Sequence, residues 1–267
     1  MATSDVSSQK SLVRAVAILD CFRPDQPELG ISEIARQLQM SRSTVGRIVT
    51  TLHSLGILSQ NPTTRRYMMG SKVLAWSTAY MSQWDVLSAG RPALAELHRI
   101  TCETVSLYVL DGTERVCVEC IESPERVRVV VRRGERMPLH AGSAGKALLA
   151  FAPEELVKQV LSQPLPRMTA NTITRRKKLL KELESVRSLG YATSHAERFQ
   201  DALGLAAPIF DSTGKIVAVL NVAGPLMRFT DAEVTKFAPR IMQLADQVSQ
   251  ALGYAGSTVQ SRSRSEG

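Results

Sequence analysis

The chain has 267 residues, 44% of them hydrophobic and 22% charged, with 33 Lys and Arg against 25 Asp and Glu, a formal net charge of +8. This is ordinary globular composition and excludes a mainly disordered or fibrous chain, and the length suits about two domains of roughly 100–150 residues each. No apolar run approaches the roughly 20 residues of a membrane span, and residues 1–10 are polar rather than leader-like, so a soluble, cytoplasmic protein with no membrane partner is expected.

Residues 12–22 carry Leu12, Val16, Leu19 and Cys21/Phe22 at helical spacing, and Pro24, Pro27 and Gly30 then mark a turn. Ser32 is a suitable N-cap for a short helix over 33–39, and Ser41 for a second over 42–55 with Val45, Ile48, Val49 and Leu52 inward. Two short helices on a tight turn make a helix-turn-helix, placed at residues 31–50, with Gln39 standing where glycine is frequent. Its outward face presents Ser41, Arg42, Ser43, Thr44, Arg47 and Thr51, hydroxyls and guanidiniums of the kind that reach phosphates and base edges in double-stranded DNA.

A capped, solvated helix start is the plainer explanation of Ser-Arg-Ser-Thr. The charge pattern decides against it: no Asp or Glu occurs from Ile34 to Trp84, while Arg36, Arg42, Arg47, Arg65, Arg66 and Lys72 all fall there. Strands at 57–60 and 66–69 around Asn61-Pro62-Thr63-Thr64 form a wing. Arg65 and Arg66 on its return are candidates for phosphate or minor-groove contact, the alternative being pairs with the carboxyl-terminal domain. Residues 71–81 then read as a helix whose Val73, Leu74, Trp76 and Tyr80 call for a partner subunit, or else for a core within the same chain.

The remainder reads as an α+β domain: helices at 88–101, 145–151, 153–161, 174–189 and 231–252, and strands at 104–110, 115–121, 126–132, 190–195, 202–210 and 215–223. In the loop 139–146, Gly142, Ser143, Ala144 and Gly145 expose backbone N–H groups at a helix start, a setting for a carboxylate. It is not a nucleotide-binding P-loop, which needs glycine where His140 stands and Ser or Thr where Ala147 stands.

Cys117-Val-Glu-Cys120 has the spacing of half a zinc site, but residues three apart on a strand point to opposite faces and no second Cys or His pair follows. Idle thiols, no metal and no cofactor are expected. The four histidines, at 53, 98, 140 and 195, join no nucleophile-and-base set and no serine stands in G-x-S-x-G, so no catalytic residue is expected. An enzyme or sensor with an incidental basic segment is the competing class. The Ser-rich end, residues 256–267 with Arg262 and Arg264, reads as a disordered tail with weak affinity for DNA.

Blocks along nearly the whole chain, about 11–252, carry a resemblance: Ser11-Leu12-Val13-Arg14-Ala15, Ser32-Glu33-Ile34-Ala35, Ser41-Arg42-Ser43-Thr44-Val45, Arg66-Tyr67-Met68-Met69-Gly70, Glu103-Thr104-Val105-Ser106-Leu107, Leu139 through Ala150, Gly190-Tyr191 and Ala206-Ala207-Pro208-Ile209-Phe210. In that order they resemble the IclR family of bacterial transcriptional regulators. The resemblance implies a winged helix-turn-helix domain (9–71), a linker and dimerisation helix (72–87), a GAF-like effector-binding domain with an antiparallel sheet flanked by helices (88–253) and a tail (254–267). It also implies a dimer or dimer of dimers, and a repressor of catabolic genes rather than an activator. Transferred block by block, the effector's acid group would rest on Ser143, Ala144 and Gly145, with Ser194, Gly204, Asn221 and Ala223 on the facing strands. Members that take very small polar acids often carry aspartate, cysteine and serines at those strand positions. Their replacement here, with room added at Gly204 and Ala223, points to a bulkier or less polar small carboxylate, aromatic acids included. His195 adjoins this site as a hydrogen-bonding residue rather than a metal ligand.

Overall fold

The computed structural model describes residues 10–81 and 85–256, and the chain divides into two compact units between Gln83 and Trp84. The tail expected to be disordered lies, from residue 257 onward, outside the described residues, as does the side chain of Tyr80. Among the described residues no helix is long and apolar enough to cross a membrane.

The first unit contains α1 (Lys10–Leu19), α2 (Ile31–Gln37), α3 (Arg42–Ser54), β1 (Leu58–Gln60), β2 (Tyr67–Met69) and α4 (Lys72–Met81). Ile18, Leu29, Ile34, Val45, Val49 and Leu58 form its core, so α2 and α3 each bury one stripe and leave the other to solvent. The face of α1 drawn through Leu12 and Val16 is not the buried one: these are 61% and 57% exposed, whereas Ile18 is fully buried. On α4, Leu74 and Trp76 are also exposed, at 71% and 49%.

Local signals explain the elements and one correction. Ser41 caps α3 as expected, accepting a hydrogen bond from the Thr44 amide at 3.3 Å. Ser32 does not cap α2; the helix starts at Ile31 with Gly30 as N-cap, because the Glu33 carboxylate reaches back to take the Gly30 N–H at 2.7 Å. Gln39 turns the chain between the two helices at φ +53°, a left-handed conformation in which glycine costs less.

The second unit contains α5 (Asp85–Thr101), β3 (Thr104–Asp111), β4 (Glu114–Ile121), β5 (Arg136–Pro138), α6 (Ser143–Phe151), α7 (Glu154–Ser162), α8 (Arg176–Leu189), β6 (Ala192–His195), β7 (Ala202–Phe210), β8 (Ile216–Pro225) and α9 (Asp231–Ala251). The six strands form one antiparallel sheet in the order β5-β4-β3-β8-β7-β6. Helix α5 packs with α9 and the sheet, and α6 packs with α8 and the sheet; an α+β domain results.

The strand expected at 126–132 is not one. Residues 122–133 form a strap outside the ladder, where Thr104 Oγ1 donates to Val129 O at 2.6 Å and Cys120 Sγ to Val131 O at 3.4 Å, and backbone pairing with β4 resumes only at Gly134 and Glu135, which exchange hydrogen bonds of 2.7 and 3.1 Å with Cys117. Val129 and Val131 point inward and Val127 outward, so the alternation belongs to a strap over the core rather than to a laddered strand. The edge is closed by β5, ten residues later than expected at its start.

A bulge also overturns the geometry expected for the thiols. Tyr108 pairs with Cys117 and Leu107 with Glu119, which leaves Val118 as the extra residue. Cys117 and Cys120 therefore share a face, and their mutual interaction pushes the Cys117 thiol up and the Cys120 thiol down.

Candidate DNA interface and effector pocket

In the first unit, α3 buries Val45, Val49 and Leu52 and turns Arg42, Ser43, Arg47 and Thr51 to solvent. Ser41, Ser43 and Thr44 form a hydroxyl cluster, with Ser41 Oγ 3.1 Å from Ser43 Oγ and 2.8 Å from Thr44 Oγ1. The side chains of Arg42 and Arg47 make no hydrogen bond or ion pair among the described residues, so their guanidiniums are available to an anion. Thr51 differs: its hydroxyl donates back to Arg47 O at 3.0 Å.

The wing separates two arginines that look equivalent in sequence. The Asn61 side chain accepts from the Thr63 and Thr64 amides at 2.9 and 3.2 Å, tightening the turn, and Arg65 follows at φ +58° with its side chain exposed. Arg66 then turns inward. Its Nη2 donates to Glu28 O at 3.1 Å and to the Glu33 carboxylate at 2.7 Å, so Arg66 is engaged within the unit and Arg65 alone of the two is presented outward. The Gly30 amide and the Arg66 guanidinium hold the Glu33 carboxyl below its usual range. Leu29 and Tyr67 exchange backbone hydrogen bonds of 2.9 and 2.8 Å, which seats the return strand against the loop before α2.

In the second unit, the cross-strand register brings Ser194, Gly204 and Ala223 into one row and sets Asn221 opposite Ser106. This row, with Ser143 and Ala144 at the start of α6, lines a cavity of about 40 Å³. Gly142 caps α6 at φ +84°, where a side chain would be strained, and the amides of the first turn have no partner within the helix. One polar contact chain is internal: Ser143 Oγ donates to Asn221 Oδ1 at 2.8 Å, and Asn221 Nδ2 to Ser106 Oγ at 3.2 Å.

Three expectations change. Gly145 does not line the cavity; a Cβ there would strike the Arg115 guanidinium and approach Leu139 O to 2.6 Å, so its smallness serves packing beneath the loop. Gly204 adds no room for a ligand, because the Ser143 hydroxyl fills the place its side chain would take. His195 faces away, into a separate recess lined by Arg167, Arg175 and Lys178, with Nε2 3.1 Å from Asp231 Oδ1.

The structure adds Tyr108, Arg115, Arg198 and Phe199 to the cavity wall. No local signal marks Arg115: in sequence it is one more arginine at the start of a strand, yet it is 2% exposed, with Nη1 donating to Pro138 O at 2.6 Å and Ala141 O at 2.8 Å. Burial pulls its pKa down to about 10, so it stays charged near neutrality. Behind the loop, the buried Lys146 ammonium lies 2.5 Å from both Glu182 and Glu197, and Glu197 also accepts the Gly142 amide at 3.0 Å. His140 Nε2 is 2.9 Å from Pro166 O, which can only accept, so this nitrogen carries the proton; burial lowers the pKa of the ring.

Known proteins share this arrangement. The family described as the IclR helix-turn-helix domain matches residues 11–62, and that described as the carboxyl-terminal part of the bacterial transcriptional regulator IclR matches residues 78–250. The HTH-type transcriptional regulator KdgR of Dickeya chrysanthemi is 31% identical over 95% of this chain and 85% of its own. The HTH-type transcriptional repressor AllR of Escherichia coli strain K12 is 31% identical over 91% of this chain and 90% of its own. An IclR homologue from Microbacterium hydrocarbonoxydans, solved in complex with 4-hydroxybenzoate, superposes with a TM-score of 0.78 at 27% identity, covering 91% of this chain and 98% of that one. With a winged helix-turn-helix in one unit and an α+β effector domain in the other, the chain belongs to the IclR family of bacterial transcriptional regulators, which are DNA-binding proteins and not enzymes.

Proposed function

We propose that the protein is a ligand-responsive repressor of catabolic genes that binds its operator as a dimer or a dimer of dimers and is controlled by a small organic acid. The observation that carries the DNA-binding half is the outward row of α3, where Arg42 and Arg47 stand without acidic neighbours on a helix whose other face is buried. Each such helix would enter a major groove, Arg47 reading bases and Arg65 holding phosphate. The exposed Leu12, Val16, Leu74 and Trp76 support self-association through α1 and α4. The similarity to AllR, a transcriptional repressor, supports the sign of control.

For the effector, the carboxylate would rest on the Ser143 and Ala144 amides, with its body against Val129, Val131 and Ala223. The 4-hydroxybenzoate complex of the homologue supports an aromatic acid, whereas the 40 Å³ cavity is small beside the roughly 150 Å³ of an engineered cavity that binds benzene. We therefore favour a compact acid. An aromatic one fits only if the short segment carrying Phe199, between β6 and β7, moves outward. The acid controls DNA binding to the extent that it binds the operator-competent and incompetent forms unequally.

A gel shift with the DNA upstream of the protein's own gene, over a salt series, tests the first half; no salt-sensitive shift at any concentration overturns it. Calorimetric titration with glyoxylate, pyruvate, benzoate and 4-hydroxybenzoate tests the second, and release of the shifted DNA by the acid that binds distinguishes repression relieved by ligand from recruitment by ligand.

A further inference from the structure

We infer that Arg115 is the counter-charge for the effector's acidic group, so that the pocket selects its ligand by negative charge and rejects the neutral amide of the same shape. This deepens the acid-effector reading and rests on it.

Arg115 is buried at 2% exposure and lines the cavity. Its Nη1 donates to two neutral carbonyls, Pro138 O and Ala141 O, and among the described residues no carboxylate forms an ion pair with it. Its Nε is a buried side-chain polar atom with no hydrogen-bond partner among the described residues. The other guanidinium on the cavity differs on each point: Arg198 is ion-paired with Glu135 at 2.5 Å and lies over the Phe199 ring, 4.5 Å from its centroid.

A buried ion without a counter-ion is costly, and removal of that cost is available to any ligand that brings the opposite charge. The placement increases the cost. The guanidinium lies beneath the amino end of α6, where the helix dipole is also positive: a Cβ on Gly142 would come within 3.1 Å of Nη2, and one on Gly145 would strike Nη1. A cation set against the positive end of a helix is a repulsive arrangement by itself and a cooperative one around an anion. Tyr108, whose ring centroid is 5.3 Å from the guanidinium carbon, fixes the orientation on the remaining side. Through the Pro138 and Ala141 carbonyls the same guanidinium also holds the loop whose amides would meet the acid.

The test is calorimetric titration of the full chain with matched pairs: benzoate and benzamide, pyruvate and pyruvamide, and acetate at high concentration as the smallest acid. The wild type is expected to bind at least one acid and to bind its amide about 100-fold less tightly, while Arg115→Met loses about 10- to 100-fold in acid affinity and brings the acid-to-amide ratio towards one. Arg115→Lys, which keeps the charge but not the fork, should retain an intermediate affinity. Equal acid affinity in folded Arg115→Met and wild type overturns this inference and leaves the acid-effector reading standing. If Arg115→Met does not fold, as judged by circular dichroism, Arg115→Gln, which removes the charge but keeps hydrogen-bond donors for the Pro138 and Ala141 carbonyls, takes its place, and unchanged acid affinity in that variant overturns the inference. A wild type that binds none of the acids overturns both the inference and the reading beneath it.

Discussion

The Arg66 guanidinium lies 2.7 Å from the Glu33 carboxylate, which fastens the return strand of the wing to the first helix of the helix-turn-helix. Under the proposed function, the part of Arg66 in DNA binding is to hold the wing in position. Arg66→Ala and Glu33→Gln should each weaken operator binding by a few-fold, with the slope of affinity against salt unchanged, and the double variant should add little to either because both remove one interaction. A salt slope reduced by about one in Arg66→Ala would show direct phosphate contact instead.

Arg47 and Arg65 should separate in the opposite manner. Arg47→Ala is expected to cost about 1–3 kcal/mol and to relax sequence preference, whereas Arg65→Ala should weaken all sequences alike and lower the salt slope by about one. Competition gel shifts with operator and scrambled duplexes over a salt series read both quantities.

Lys146 bridges Glu182 and Glu197 with its ammonium 2% exposed, and Glu197 carries the Gly142 amide that starts α6. Lys146→Met leaves Glu197 buried without its cation and should destabilise the effector domain by about 3–5 kcal/mol in denaturant titration. Lys146→Met with Glu197→Gln should recover part of that loss, since no uncompensated charge remains.

His140 gives the domain a dependence on pH. Its folded pKa is lowered by burial from 6.5, so the unfolded chain takes up that proton first and folding loses stability as pH falls below about 6.5. Above that value neither state is protonated and the contribution is level. His140→Gln, which can still donate to Pro166 O, should flatten the decline between about pH 6.5 and 5 in thermal melts followed over pH. An unchanged decline would place the acid sensitivity in other groups.

Much of the DNA-binding unit is legible locally. Ser41 as a cap, the 3.6-residue spacing of Val45, Val49 and Leu52, and Gln39 at the turn are short-range features, and the structure places each as those signals indicate. Arg65 and Arg66 were not separable, since which one points outward depends on a left-handed backbone at Arg65 and on Glu33, thirty-three residues before Arg66. The strap after β4 has the sequence pattern of a strand because alternating valines mark any extended chain with one face on a core, whether or not it joins a ladder. The shared face of Cys117 and Cys120 depends on one bulged residue, which changes no composition.

The sequence by itself determined the two-unit plan, the recognition helix with its acid-free surroundings, and the loop whose amides open α6, because these follow from caps, periods and charge along contiguous residues. Only the tertiary structure decided what the pocket wall contains. The space beside Gly145 and Gly204 is taken by Arg115 and Ser143, and Arg115 is buried, because each depends on groups brought together from β4, α6 and β7. Burial is a property of the packed neighbours, and a strand arginine has the same local signature in water as beneath a loop.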